Sequence, residues 1–162
     1  MSDAYILDTG AFLSGFTFFE NESYTVNEVV DEIKSDPVRF KLELSLKEGK
    51  LVVLDPPDSK LVHKISNYTG DRHKLSYTDL KILYLAVFLK KKGYSPIILS
   101  NDYRIQNVAL KLKIKFFSTS EKKIQKFIRW HKICIGCNKE FKESYDGICD
   151  NCGSNLKTRA IK

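Results

Sequence analysis

The four cysteines of the chain lie near its C-terminus, in two pairs with the same internal spacing. They are Cys134 and Cys137, followed after eleven residues by Cys149 and Cys152. A two-residue turn places two thiolates on one edge of a tetrahedron, and a hairpin that returns a second such turn supplies the opposite edge. The spacing therefore predicts one zinc ion per chain, held by four thiolates.

The predicted zinc is expected to be structural. A closed shell of four thiolates leaves no position for water or a substrate, so the ion should fold its module and take no part in catalysis. Small residues that suit tight turns around sulfur lie at Gly136, Asn138 and Gly153. Two disulfides or a redox-active Cys-x-x-Cys fit less well, because no secretory signal is recognised and a redox motif would be one pair beside a βαβ unit.

The length of the chain suits one further domain. If 133–162 form the zinc module, the rest is long enough for one α/β domain with its own core. The longest uninterrupted apolar run, 82–89, is too short to span a bilayer, and the first residues carry no basic signal segment. We expect a soluble, cytoplasmic protein of two domains that does not contact membranes.

The positive charge is concentrated in the C-terminal part. The net charge is +7, and residues 120–162 contain ten Lys and Arg against five Asp and Glu. Rings such as Trp130 and Phe141 lie among these cations, a combination that suits phosphates and stackable bases. The composition favours a nucleic-acid partner, and an ordinary solvated lysine-rich surface is the alternative.

Short apolar segments alternate with helical patterns along the first 119 residues. Strands are predicted at 5–7, 51–54, 96–99 and 114–117, and helices at about 26–34, 37–48, 58–68, 76–92 and 103–112. This alternation predicts an α/β domain with a parallel sheet flanked by helices. A further helix over 120–132 is predicted to connect this domain, 1–119, to the zinc module, 133–162.

Three aspartates occupy points where strands of the predicted sheet give way to helices, or lie close to them. Asp8 follows the first strand, Asp102 follows the strand at 96–99, and Asp79 lies in the first turn of the central helix. Ligands gather at this edge of an open parallel sheet. Each aspartate can also be explained as a helix cap, and Asp79 with Ser76 resembles a capping box. Three carboxylates at one edge would nevertheless repel one another unless a cation lay between them.

Four stretches together resemble the signatures of PIN-domain nucleases. They are Ile6-Leu-Asp-Thr-Gly-Ala-Phe-Leu13, Tyr24-Thr-Val-Asn-Glu-Val-Val-Asp-Glu-Ile33, Leu75-Ser-Tyr-Thr-Asp-Leu80 and Leu99-Ser-Asn-Asp-Tyr-Arg-Ile-Gln-Asn-Val-Ala109. With the C-terminal zinc ribbon, nearly the whole chain resembles the archaeal Nob-type endonucleases, and 102–109 is the most specific part. The resemblance implies a PIN-like fold and an endoribonuclease that matures the 3′ end of small-subunit ribosomal RNA.

The resemblance also implies the residues of the site. The implied catalytic acids, which would also hold Mg²⁺ or Mn²⁺, are Asp8, Glu32, Asp79 and Asp102. Thr9 and Ser100 are implied as small polar neighbours. Glu28 lies one helical turn before Glu32, and only the family pattern Val-x-x-Glu favours the later residue. Asn101 stands where many relatives carry a further acid, which leaves open whether one or two ions bind.

The implied reaction is phosphodiester hydrolysis. Carboxylates are ligands for hard cations, and a divalent cation activates water, neutralises charge on phosphorus and stabilises the leaving oxygen. The resemblance implies 5′-phosphate and 3′-hydroxyl products, with the small-subunit rRNA precursor and the pre-small ribosomal subunit as partners. Two alternatives stay open: a non-catalytic RNA-binding assembly factor, and a toxin-like PIN nuclease that acts on other RNA. The loop 70–74 is either an RNA-backbone contact or an ordinary exposed loop.

Overall fold

The first part of the chain builds a parallel sheet. The computed structural model describes residues 2–14, 22–118 and 124–161. Within them the strands of this sheet are β1 (Asp3–Leu7), β2 (Ser23–Thr25), β3 (Leu51–Val53), β4 (Ser95–Leu99) and β5 (Lys115–Phe117). They lie in the order β3-β2-β1-β4-β5, and each neighbouring pair is parallel. The predicted parallel α/β sheet is confirmed, and the four predicted strands correspond to β1, β3, β4 and β5.

Helices connect these strands. They are α1 (Thr9–Leu13), α2 (Asn27–Glu32), α3 (Asp36–Lys47), α4 (Lys60–Thr69), α5 (Tyr77–Lys91) and α6 (Tyr103–Lys111). The five predicted helices correspond to α2 through α6. The sequence analysis missed α1 and β2. Five residues are too few to show the repeat of an amphipathic helix, and the Ser-Tyr-Thr sequence of β2 is not an apolar run.

The longest helix, α5, forms the centre of the core. Most of its side chains are buried on every face, among them Ile82, Leu83 and Leu85. The helix contacts β4 and β1, so its apolar residues cover the middle strands of the sheet. Parallel strands are stable only when helices cover them in this way. No helix of the described segments is long and apolar enough to cross a membrane.

The C-terminal part forms a separate antiparallel sheet. Its strands are β6 (Arg129–Cys134), β7 (Glu140–Lys142) and β8 (Leu156–Ile161), in the order β7-β6-β8. The connecting helix predicted at 120–132 is therefore wrong where it is described. Residues 124–128 are not helical, 129–132 belong to β6, and 120–123 lie outside the described residues. Pairing of β6 with β8, at the far end of the chain, outweighs the local helical pattern.

Two buried amides of α6 hold the segment that leads into the ribbon. The Asn107 side chain donates to the carbonyl of Ile128 at 2.8 Å and accepts from the amide N–H of the same residue at 2.6 Å. The Gln106 side chain accepts from the N–H of Ile124 at 3.2 Å. Because 124–128 has no regular secondary structure, these side chains satisfy backbone groups that would otherwise lack partners.

A close contact at Gly70 joins the two sheets. Gly70 ends α4 in the left-handed conformation, with φ of 80°. A β-carbon there would lie 2.7 Å from the carbonyl oxygen of Trp130 and 2.9 Å from its β-carbon. Glycine is thus required at this position for two reasons: the backbone has a positive φ, and the backbone of β6 approaches too closely to leave room for a side chain.

We expect Gly70→Ala to destabilise the protein more than Gly49→Ala. Both glycines have positive φ, but a β-carbon at Gly49 meets nothing within 4 Å. The control should lose about 1 kcal/mol of unfolding free energy from backbone strain, and Gly70→Ala should lose on the order of 1 kcal/mol more because the ribbon must shift. Urea unfolding followed by the emission of Trp130, the sole tryptophan, measures both. Equal losses would show that the contact at Gly70 contributes nothing.

Candidate active site and metal centre

The first predicted acid, Asp8, meets a residue that is distant in sequence. Asp8 follows β1 and is the N-cap of α1, where its Oδ1 accepts from the N–H of Thr9 at 2.7 Å. Ser100 follows the neighbouring strand β4, and its hydroxyl donates to Asp8 Oδ2 at 2.6 Å. The parallel pairing of β1 with β4 places both strand ends at the same edge of the sheet.

The second acid, Asp102, is tied to the same serine. Asp102 caps α6 by accepting from the N–H of Arg104 at 2.6 Å. Its own N–H donates to the Ser100 hydroxyl oxygen at 3.0 Å. The Ser100 hydroxyl therefore links the Asp8 side chain to the backbone of Asp102. The neighbouring Asn101 side chain accepts from Ser118 at 2.9 Å.

The third acid, Asp79, forms the predicted capping box. Its backbone N–H donates to Ser76 Oγ at 3.1 Å, and its Oδ2 accepts from the N–H of Ser76 at 2.7 Å. One carboxylate oxygen is thus used in the cap, which leaves the other oxygen for further contacts. Asp8 and Asp102 are N-caps, Asp79 completes a capping box, and the three carboxylates are still near one another, so the two interpretations of the sequence are compatible.

The structure separates the two glutamates of α2. Glu32 accepts from Thr9 Oγ1 at 2.6 Å and from Thr78 Oγ1 at 2.5 Å, so it lies beside the residues that follow Asp8 and precede Asp79. Glu28 instead lies 3.9 Å from the ammonium of Lys81. Thr78 was missed by the sequence analysis, and the only signal for it was its place next to Asp79.

Lys81 forms a small ionic cluster with Glu28 and Asp55. The Lys81 side chain is almost fully buried, and its ammonium contacts Asp55 as well as Glu28. Glu28 Oε2 is buried and has no hydrogen-bond partner among the described residues. Removing the charge of Lys81 would leave Glu28 without compensation, whereas Lys81 without Glu28 would still contact Asp55. Glu28 therefore has a structural contact that explains its position.

Two carboxylates at the sheet edge, Asp8 and Asp79, have raised pKa values. Burial raises the pKa of Asp8 to about 6, the hydrogen bonds from Ser100 and Thr9 oppose this shift, and the charges of Asp79 and Asp102 add to it. Burial also raises the pKa of Asp79, with further contributions from the charges of Asp102 and Glu32. The four acids are therefore close enough to repel one another, as expected of a cation site.

The acidic cluster suits a hard cation that keeps part of its water shell better than a cation enclosed completely by protein ligands. Among the described residues, the group with ligand atoms close enough to enclose an ion directly is the cysteine cluster, not the carboxylates. Mg²⁺ keeps several water molecules and uses only one or two carboxylates directly. Oxygen ligands of this kind suit Mg²⁺ or Mn²⁺ rather than softer metals.

We expect Asp8→Asn to stabilise the protein at neutral pH when Mg²⁺ and Mn²⁺ are absent. The folded-state pKa of about 6 lies above the ordinary value of 3.8, so the native state favours protonated Asp8. The stability that protonated Asp8 contributes is fully present below about pH 4 and is lost as the pH rises through 6. Thermal melts should show variant and parent alike near pH 4 and the variant more stable at pH 7.5.

The matched control for this experiment is Asp3→Asn, an exposed carboxylate at the start of the same strand. It should shift the melting temperature little at either pH, because exposed substitutions away from special contacts have small effects. A melting temperature of Asp8→Asn that stays below the parent at pH 7.5 would contradict the cost assigned to the buried charge.

The second centre is the cysteine cluster of the ribbon. The ligand atoms of Cys134, Cys137, Cys149 and Cys152 all lie within 4.8 Å of one another. Cys134 Sγ lies 3.4 Å from Cys152 Sγ, and Cys137 Sγ lies 3.5 Å from Cys149 Sγ. A tetrahedral shell with bonds of about 2.3 Å places sulfur atoms about 3.8 Å apart. The predicted grouping of the four cysteines is confirmed, and their sulfur atoms lie close enough together to hold a metal ion.

Small residues shape the turns around the cluster as the sequence suggested, with one difference. Asn138 and Gly153 have positive φ, of 61° and 71°. Gly136 does not need positive φ, but a β-carbon there would lie 2.5 Å from Ser154 Oγ. The N–H of Gly136 also donates to Cys134 Sγ at 3.3 Å. His131, on β6, is not part of the cluster.

Comparison with known proteins agrees with this architecture. A family model described as the PIN domain of ribonuclease matches residues 5–89. Endoribonuclease Nob1 of Pyrococcus abyssi is 39% identical over 155 residues, which cover 94% of this chain and 91% of the relative. Endoribonuclease Nob1 of Archaeoglobus fulgidus is 34% identical over 160 residues, or 99% of this chain and 93% of the relative.

A relative with another name is similar to a comparable degree. Ribonuclease VapC1 of Thermoplasma acidophilum is 33% identical over 154 residues, which cover 94% of this chain and 76% of the relative. The similarity to all three proteins includes the ribbon as well as the parallel-sheet domain, because the aligned regions span nearly the whole chain.

Proposed function

The chain belongs to the Nob1 family of PIN-domain endoribonucleases, and we propose on that basis that it matures the 3′ end of small-subunit ribosomal RNA. The observation that carries this proposal is the meeting of Asp8 and Asp102 at the Ser100 hydroxyl. Asp79 is near enough to repel both, and Glu32 is near enough to repel Asp79. Like charges gathered around one buried carboxylate are the arrangement expected where a cation and a phosphate bind.

In this proposal the four acids divide the work of holding the cation. Asp8 and Asp102 bind it directly, and Asp79 and Glu32 bind it directly or through water. The bound Mg²⁺ or Mn²⁺ would activate water and offset the charge of the scissile phosphate. Cleavage would leave 5′-phosphate and 3′-hydroxyl ends.

The polar neighbours orient the acids. Ser100 and the N–H of Thr9 hold the two oxygens of Asp8, so its carboxylate has a fixed direction. The hydroxyls of Thr9 and Thr78 hold the two oxygens of Glu32 in the same manner. Ligands fixed by neighbouring hydrogen bonds bind metal more tightly than mobile ones. Ser100, Thr9 and Thr78 are positioning residues in this scheme.

The ribbon has a separate role. We propose that its four thiolates hold one structural Zn²⁺, because a closed thiolate shell suits zinc and leaves no open position. The basic ribbon would grip the folded precursor RNA within the pre-small ribosomal subunit in the cytoplasm. Specificity would then come from the position of the site on the RNA, since phosphate contacts carry no base code.

A cleavage assay with and without Mn²⁺ tests the function. We expect the zinc-loaded chain to cut an RNA that spans the small-subunit 3′ boundary at one site, only with added Mn²⁺ or Mg²⁺. Asp8→Asn and Asp102→Asn should reduce cutting to background, because each removes a negative ligand. Full cleavage without either ion would contradict the mechanism.

The same assay separates the alternatives. An unrelated tRNA serves as the second substrate. It tests for a nuclease that acts on other RNA, the alternative that the similarity to Ribonuclease VapC1 also fits. Cutting of the tRNA in preference to the boundary RNA would favour a toxin-like nuclease. Binding of the boundary RNA without any cutting would favour a non-catalytic assembly factor.

We expect Glu32→Gln to change mainly the cleavage rate and Glu28→Gln to change mainly the stability. Glu32→Gln removes a charge from the proposed site and should slow cleavage about 10–100-fold, with little change in stability. Glu28→Gln weakens the contact with Lys81 and should lower the unfolding free energy by about 1–3 kcal/mol, with cleavage near the parent rate for the folded fraction. Single-turnover cleavage and urea unfolding of both variants measure the two effects. A slower Glu28→Gln enzyme beside an unaffected Glu32→Gln enzyme would reverse the assignment.

A further inference from the structure

We infer that a cleft between the parallel-sheet domain and the ribbon binds single-stranded RNA and leads it to the acidic cluster, with Trp130 as a platform for a base. The identity of the ligand as RNA rests on the proposed function. The location and chemistry of the cleft rest on contacts of the described residues.

The outer part of this cleft is positively charged. A cavity of about 610 Å³ lies between α4, the loop 70–74 and strands β6 and β7. Its cationic side chains are Lys64, Arg72, Arg129 and Lys142, with His73 and His131 beside them. None of these four cations forms an ion pair within the described segments of the chain. Unpaired cations along one groove match the phosphates of a polyanion.

The acidic residues of the cleft reduce this charge only in part. Glu143 lies at the cleft wall but is buried, and its carboxylate is paired with Lys74 at 2.9 Å. Thr158 lies 3.5 Å from the same carboxylate. Glu140 is the remaining acid of the lining, against four unpaired cations. The outer cleft is therefore net positive.

The inner part of the cleft reaches a proposed catalytic acid. A second cavity, of about 710 Å³, is lined by Asp102, Tyr103, Arg104 and Lys74 on one side. Its other side is formed by Trp130 and Thr158 of the ribbon. Trp130 lines both cavities, so this residue lies at the boundary between them. A strand that follows the cations from the outer cavity would arrive at Asp102.

The shape and lining favour a single strand over a duplex. Each cavity falls within the range of about 300–1,000 Å³ that holds a small ligand, which suits separate nucleotides and is too small for a double helix. Half-buried Trp130 and exposed Tyr103 offer ring faces beside Arg104 and Lys74. Aromatic rings next to cations are the usual platform for stacked, unpaired bases.

The cleft is held in shape before any RNA arrives. Asn107 joins the domain to the ribbon linker through Ile128 and also donates to Asp71 at 2.7 Å. Gly70 packs directly on the backbone of Trp130. The loop 70–74 is thus fixed against the ribbon, and Arg72 and His73 project from a rigid wall. Preorganised contacts of this kind bind with less loss of conformational entropy.

Intrinsic fluorescence tests the proposal, because Trp130 is the sole tryptophan of the chain. The probe is a fluorescein-labelled oligouridylate of about 12 nucleotides, within the range of single-strand sites. The zinc-loaded full chain is titrated without added Mg²⁺ or Mn²⁺, so that binding is measured without cleavage. We expect saturable quenching of Trp130 emission with the same midpoint as the rise in anisotropy of the labelled RNA.

Variants locate the contact. Arg72→Gln with Lys142→Gln should weaken binding on the order of 10-fold and reduce the salt dependence by about 0.7 for each cation removed. Trp130→Leu should also weaken binding on the order of 10-fold through lost stacking. Lys91→Gln is the matched control, since Lys91 is exposed at the far end of α5. The control should bind as the parent does.

The outcomes keep this inference apart from the proposed function. Quenching of Trp130 emission by RNA, together with weaker RNA binding by the cleft variants, supports the cleft. Failure of the same chain to cut the boundary RNA would reject only the proposed function. RNA binding without a change in Trp130 emission, or cleft variants that bind like Lys91→Gln, would overturn the cleft even if cleavage is normal. Quenching by a short RNA duplex at lower concentration than by the single strand would overturn it as well.

Discussion

The candidate active site depends on the adjacency of β1 and β4. Their parallel register ends both strands at the same level, with Leu7 opposite Leu99, and so brings Asp8 to the Ser100 hydroxyl across a sequence separation of 92 residues. Helices start at this edge, and the aspartates cap them. Exposed N–H groups and the positive end of a helix stabilise a carboxylate. The fold thus gathers negative charge at one edge of the sheet. The positive N-terminal ends of the helices that begin there offset part of the repulsion between the carboxylates.

Much of this arrangement is readable in the sequence, because it depends on local signals. The cysteine spacing predicts the metal cluster, and the strand ends locate Asp8 and Asp102. The signals fail where long-range pairing decides the structure. β2 is a short polar strand, Ser23–Thr25, that is buried only because its neighbours cover it. Residues 129–132 pattern as a helix, yet Arg129 pairs with Ile161 at the other end of the ribbon, a partner that no local window contains.

The stretch 102–109 contributes to two parts of the structure at once. Asp102 belongs to the acidic edge, whereas Gln106 and Asn107 are buried amides that hold the linker to the ribbon. One helix therefore serves both the proposed site and the attachment of the second sheet. Buried amides are costly unless every group is paired, and here the partners come from a linker without regular structure. The sequence of the stretch does not reveal this role of Gln106 and Asn107, because their hydrogen-bond partners in the linker lie outside the stretch.

The same attachment bears on where the protein would cut an RNA under the proposed function. Gly70 and Asn107 fix the ribbon on the domain that carries the acids, so the distance from the ribbon to Asp102 is set by the fold. An RNA held by the ribbon would present one phosphate to the acids, at a position determined by that distance. Contacts to phosphates fix register on a nucleic acid without reading its bases. A mobile tether would grip the same RNA with similar strength but would bring many phosphates within reach. Under the proposed function, the choice of the cleavage position would therefore depend on the rigid junction as much as on the carboxylates.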